Sequence, residues 1–194
     1  MIGSIWKLFP EALLAGGAVR SLYDNTEVED YDFFMPSLSL MEYLWHNIEG
    51  HQNIVDKVLF KCPQKRLVSL LLKDGSKVQL IYIKDYSSPE ELTRLFDFTV
   101  CCATKDIKGK IYFTPEFYRD VESKALNINT ITYPMSTMKR MVKYVQKGYL
   151  VDSGVYKQLA KSILEANKEE ELQDDEEGWS WYNSGSKWSF TGVD

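Results

Sequence analysis

Short apolar runs dominate the chain up to about residue 113, and a helical spacing of apolar residues takes over from residue 134. The run EALLA (11–15) is short enough for a buried strand, and AVRSLYD (18–24) has the content of a helical turn or two, so Gly16 and Gly17 fall at a strand-to-helix bend. VEDYDFFMP (28–36) alternates polar and apolar residues and stops at Pro36, which predicts a second strand with its acids on one face. The stretch after Ser37, a candidate N-cap, predicts a helix with Leu40, Tyr43 and Leu44 on one stripe, ending near Gly50. Between 55 and 83 the runs VDKVLF, RLVSLLL and KVQLIYI are rich in β-formers, and the KDGS between the last two carries a hairpin signal. The sheet therefore contains antiparallel pairs. Ser88, Pro89 and Glu91 predict a capped helix start, DFTVCCA and KIYFT flank the turn TKDIKG, and PEFYRDVESKAL reads as a short helix. From residue 134, Met135, Met138, Met141, Val142, Val145 and Tyr149 recur at helical spacing and are expected in the core, while Lys139, Lys143 and Lys147 form another stripe. A last helix is expected over VDSGVYKQLAKSILEANKEEE, and there is no internal repeat.

Composition narrows the class. The 194 residues with 44% hydrophobic content suit one compact body with or without a small appendage. No stretch approaches the ~20 apolar residues of a membrane span, and the N-terminus lacks the basic start and apolar run of a signal peptide, so a cytoplasmic location is expected. Cys62, Cys101 and Cys102 make no CxxC pair and are expected to be reduced and buried. The net charge of -5 is uneven, because residues 165–177 hold eight acids and one lysine. The remainder is weakly basic, which suits phosphates without the strong field of a dedicated nucleic-acid binder.

Two local features carry chemistry. Glycines at a strand-to-helix bend leave backbone N–H groups open to a phosphate, with Arg20 one turn further on as a second contact. Taken alone, such a pair is most often just a tight turn. Asp30 and Asp32, two apart on a strand, leave the same face and can converge on one divalent cation, although a solvated strand face is the commoner use of such acids.

The combination is more specific than either half. GGAVRSLYDN followed by EDYDF resembles the glycine pair, spacer and paired aspartates of the polymerase-β-like nucleotidyltransferase superfamily, and is most similar to the head of CCA-adding enzymes and bacterial poly(A) polymerases. FDFTVCCA resembles that group's RDFTINAL, with Asp97 on the family aspartate, Leu95 and Phe96 in place of two arginines, and Arg94 nearby as a substitute guanidinium. A turn-capping role for Asp97 is the alternative. KRMVKYVQKGYLVD resembles the family's neck helix, with Arg140 and Lys143 on basic positions, whereas YPMST (133–137) replaces the segment that reads the incoming base. The resemblance implies an α+β (α/β) fold: a head with a mixed, mostly antiparallel sheet packed by helices (1–130), a short helical neck (131–168) and an acidic, aromatic tail (169–194). It also implies Mg²⁺ or Mn²⁺ on Asp30 and Asp32, a nucleoside triphosphate on Gly16, Gly17 and Arg20, with Asp97, Arg94 and Gln79 lining the pocket, and an RNA or protein acceptor.

Gln79 occupies the strand position where many superfamily members place a third acid, and an amide can orient a water but cannot act as a base at neutral pH. Two readings follow: transfer of a nucleoside monophosphate supported by two aspartates, or an inactive fold that binds nucleotide, RNA or a partner protein. Lys139, Arg140, Lys143 and Lys147 are candidate RNA contacts against the commoner alternative of a solvated face. The tail tryptophans Trp179, Trp181 and Trp188, set among acids, favour docking onto protein. His46 and His51 have no surrounding cysteine pattern, so no metal site is expected there.

Overall fold

The computed structural model describes residues 3–63 and 66–172. Seven strands form one mixed sheet: β1 (Leu13–Ala15), β2 (Tyr31–Phe34), β3 (Val55–Cys62), β4 (Leu67–Leu72), β5 (Lys77–Ile81), β6 (Ala103–Lys105) and β7 (Ile111–Phe113). Their spatial order is β3-β4-β5-β2-β1-β6-β7, and every neighbouring pair is antiparallel except β2 and β5. The expected mixed, mostly antiparallel sheet is present. Seven helices pack around it among the described residues: α1 (Gly3–Leu8), α2 (Gly17–Tyr23), α3 (Leu38–Asn47), α4 (Pro89–Thr93), α5 (Pro115–Glu122), α6 (Pro134–Gln146) and α7 (Ser153–Leu172). None of them is long and apolar enough to cross a membrane.

Period-two alternation divides the sheet into two faces. Leu14, Phe33, Leu70 and Leu80 join Ile5, Trp6, Leu44 and Ile48 in the main core. Leu13, Ala15 and Phe34 face the other way, against Leu92 of α4 with Ile81, Tyr86 and Phe96 beside them. This second face is thinly covered, which leaves room for polar chemistry at one end of it. The Asp-Gly hairpin forms as expected, with Gly75 at φ 84° and the Leu72 N–H donating to the Ser76 carbonyl. Ser37 and Ser88 both cap their helices, accepting from the N–H groups of Leu40 and Glu91.

Several expectations need correction. α1 carries Ile5 and Trp6 into the core, and the Trp6 indole N–H donates to the Ala12 carbonyl at 2.7 Å, yet its six residues are too few for a periodic signal. In α3 the buried stripe is Met41 and Leu44 continuing to Ile48, whereas Tyr43 is exposed. In α6 only Thr137, Met141 and Tyr144 are buried; Met138, Val142 (51% exposed) and Val145 (44%) face outward. The helix turns Thr137, Met141 and Tyr144 to the head, with Arg140 and Lys143 flanking them in ion pairs to Asp97 and Glu29. Cys101 and Cys102 are buried free thiols as expected, but Cys62 is half-buried. The proposed acidic tail lies, from residue 173 onward, outside the described residues.

Candidate functional site

The two aspartates stand at the start of β2, Asp30 just before the strand and Asp32 within it. Strand alternation puts both on the thinly covered face, in line with Phe34. Parallel pairing sets Asp32 against Gln79 of β5, so the amide occupies the place beside the acid pair where a third carboxylate would stand. On the other side of β2, Leu13 pairs with Phe34 and Leu14 with Phe33, and one further step of this register brings Ala15 opposite Asp32. The glycine turn follows immediately, so the two halves of the motif meet at one end of three central strands.

The turn uses its glycines in two ways. Gly16 has φ 68°, which side chains of L-residues rarely adopt, and its N–H donates to the Ala103 carbonyl at 3.0 Å while its own carbonyl receives the Arg20 N–H. A Cβ at Gly16 would lie 3.2 Å from the Phe96 ring, and one at Gly17 would lie 3.7 Å from the Tyr144 hydroxyl. Aromatic side chains therefore lean on the turn. Phe96, which stands where related heads carry an arginine, also packs edge-on against Phe34 with ring centroids 5.4 Å apart.

Burial and the neighbouring Asp30 charge push the Asp32 carboxyl up to about 7, with Lys143 of α6 pulling in the opposite direction. A carboxylate pair in that condition carries uncompensated negative charge, and a divalent cation held between the two would offset it. Two carboxylates on one strand face are a donor set that fits a hard cation, with Gln79 paired beside Asp32 on the next strand. Among the described residues there is no group of three or more His, Cys, Asp or Glu side chains that could hold a metal.

The other sequence-derived residues fall into distinct places. Arg20 is only 3% exposed, with its guanidinium carbon 5.0 Å from the Tyr144 ring centroid and 5.7 Å from that of Tyr149. Its Nη2 donates to Ser21 Oγ at 2.9 Å, whereas Nε and Nη1 find no partner. It supports the turn from within an aromatic cage. Asp97, nearly buried, accepts from Arg140 Nε at 2.5 Å, and its carbonyl takes the Asn129 N–H. Arg94 is exposed at the C-cap of α4, where its carbonyl accepts from Asn129. Lys143 and Lys147 both bind one carboxylate, that of Glu29, at 2.7 and 2.6 Å, and Lys139 is exposed on α6.

Glu29 and Tyr144 were not singled out by sequence reasoning, and Tyr149 was expected only as a core residue, which it is. Tyr144 shares a 2.7 Å hydrogen bond with Cys101 Sγ, and burial pushes that thiol up to about 11, so it stays neutral. More than a hundred residues separate Glu29 from its lysines, and no local spacing links them.

A sheet of this order carrying a glycine turn and an aspartate pair defines a polymerase-β-like nucleotidyltransferase fold. Solved structures agree: the Thermotoga maritima CCA-adding enzyme complexed with tRNA superposes at a TM-score of 0.58 and 17% identity, covering 84% of this chain and 42% of its own. A CCA-adding enzyme with CTP gives 0.60 and 18% over 84% and 42%. A tRNA nucleotidyltransferase complexed with a primer tRNA and an incoming ATP analog gives 0.57 and 17% over 86% and 51%. The chain belongs to the Gabija anti-defense 2 family, whose model matches residues 5–124. It is 28% identical over 172 residues to Gabija anti-defense 2 of Bacillus phage SPbetaL7, covering 84% of this chain and 40% of that protein. It thus spans less than half the length of that curated relative.

Proposed function

We propose that this protein is a metal-dependent nucleotidyltransferase that moves a nucleoside monophosphate from a nucleoside triphosphate to a hydroxyl group, releasing pyrophosphate. The observation that carries the reading is the convergence of Asp30, Asp32 and the Gly16–Gly17 turn at one end of β1, β2 and β5. Asp30 and Asp32 would hold Mg²⁺ or Mn²⁺, which would supply Lewis-acid stabilisation of charge on the α-phosphate and the acceptor oxygen. The backbone at the glycine turn receives the triphosphate tail, Gln79 orients the group entering beside Asp32, and Asp97 positions Arg140. Arg94 closes the pocket from the end of α4. The acceptor oxygen attacks the α-phosphorus in line, forming one P–O bond as the bond to pyrophosphate breaks, and its proton passes to water.

Family membership supports a role in countering the Gabija defence, with a protein or RNA component of that system as the acceptor. Of the basic residues Lys139, Arg140, Lys143 and Lys147, the exposed Lys139 then faces an RNA acceptor if the target is RNA, while the other three lie against acids of the head. The test is incubation with labelled nucleoside triphosphates, Mg²⁺, and either Gabija proteins or RNA. Asp30→Asn with Asp32→Asn should abolish label transfer; transfer undiminished in the double variant would sink the assignment.

Gln79 in the third-acid place and Phe96 against Gly16 support a second reading, a module that binds nucleotide without transferring it. Under that reading calorimetry detects nucleotide binding while no acceptor yields pyrophosphate. Gln79→Asp would leave such a module silent only if more than the missing base had been lost.

A further inference from the structure

Leu95 and Phe96 stand where the resemblance leads to an expectation of arginines, and Arg20 is enclosed between Tyr144 and Tyr149. Two other cations reach the same region. Lys143 and Lys147, one turn apart on α6, project to the loop that precedes β2 and share the carboxylate of Glu29, the residue next to Asp30. Lys143 is close enough to act on the charge of Asp32.

We infer that Lys143 and Lys147 are the phosphate-binding cations of this site, and that Glu29 is their resting partner, displaced when a polyphosphate enters. The inference rests on the nucleotidyltransferase reading and names the residues that replace its missing arginines. Without ligand, Glu29 pairs with both lysines next to the Asp30–Asp32 acids, and this local excess of negative charge holds the lysines in place and repels phosphate. A divalent cation on Asp30 and Asp32 turns the local balance positive. The triphosphate oxygens then compete with Glu29 for the two ammonium groups, and they offer more charge than one carboxylate does. The exchange is inexpensive because the Glu29 and Lys143 side chains are both about half exposed, so water solvates each partner as the pairs open.

The two halves of this ion cluster make opposite predictions, which separates phosphate binding from a role in merely fastening α6 to the head. Calorimetric binding of Mg²⁺-ATP, Mg²⁺-CTP and inorganic tripolyphosphate with Mg²⁺ should be compared across the wild type, Lys143→Ala with Lys147→Ala, and Glu29→Gln. Thermal melts of each variant confirm folding. The lysine variant should bind each probe about tenfold more weakly or worse, on the scale of two lost charge-assisted contacts. Glu29→Gln, which breaks the same two ion pairs, should bind roughly two- to fivefold more tightly because the competitor is gone. Wild-type affinity in the lysine variant, or loss of affinity in both variants, would overturn the inference while leaving the nucleotide reading intact. Failure of the wild type to bind any of the three probes would overturn both.

Discussion

Asp32 is the residue whose surroundings say most about the site. Its carboxyl is pushed up to about 7 by burial and by Asp30, so the folded protein retains a proton that the unfolded chain releases near pH 4. A group raised in this way stabilises the fold fully below the unfolded pKa, and that contribution is lost as pH rises through the folded value. Metal-free wild-type protein should therefore lose stability between about pH 4 and 7, by up to about 1.4 kcal/mol per pH unit from this group, and Asp32→Asn should flatten that slope in urea melts. Protons and metal compete for the same oxygens, so Mg²⁺ affinity should fall on acidification below about pH 7. Glu29 behaves oppositely: its two lysine contacts pull the carboxyl down to about 2, and its contribution is kept until the pH falls below the ordinary glutamate range towards that value. At Gly16, a Cβ meets both a left-handed φ and the Phe96 ring, so Gly16→Ala should cost on the order of 1–3 kcal/mol in urea denaturation. Phe96→Ala in the same chain should recover the steric part of that loss and leave the backbone part.

Among the elements, α6 departs furthest from its sequence pattern. Its apolar spacing suggests a stripe of Met138, Val142 and Val145 beside Met141, but the buried residues are Thr137, Met141 and Tyr144, flanked by the ion-paired Arg140, Lys143 and Lys147. Met141→Ala should therefore destabilise by roughly 2–5 kcal/mol, whereas Val142→Ser and Val145→Ser should each stay within about 0.5 kcal/mol of wild type in thermal melts. α5 is anchored differently. Asp120, 1% exposed, accepts from the Thr99 hydroxyl at 2.6 Å, the Asn127 amide at 3.0 Å and Arg119 Nε at 2.8 Å. Replacing it with alanine removes the shared acceptor of three donors, the buried Thr99 hydroxyl among them, and a loss of about 3 kcal/mol is expected by urea denaturation.

Across the whole molecule, what could be read from sequence was whatever is written locally. The alternation in VEDYDFF placed Asp30 and Asp32 on one face, the glycines marked the bend, and the Asp74–Gly75 signal fixed a hairpin. These depend on neighbours a few residues apart. The enclosure of Arg20 by Tyr144 and Tyr149, the leaning of Phe96 on Gly16, and the capture of two neck lysines by Glu29 all join segments far apart in sequence. Their geometry comes from how α6 docks on the head, which no periodicity in α6 itself encodes. On the proposed reading, the acid pair and the glycine turn form the nucleotide site, with Lys143 and Lys147 beside it. The most direct measurement is a crystal structure of the protein with Mn²⁺ and a non-hydrolysable nucleoside triphosphate analogue. Anomalous density for Mn²⁺ within about 2.2 Å of carboxylate oxygens of both Asp30 and Asp32, bridging to the analogue's phosphates, is the expected result. Nucleotide bound elsewhere, or metal that bypasses both aspartates, would contradict it.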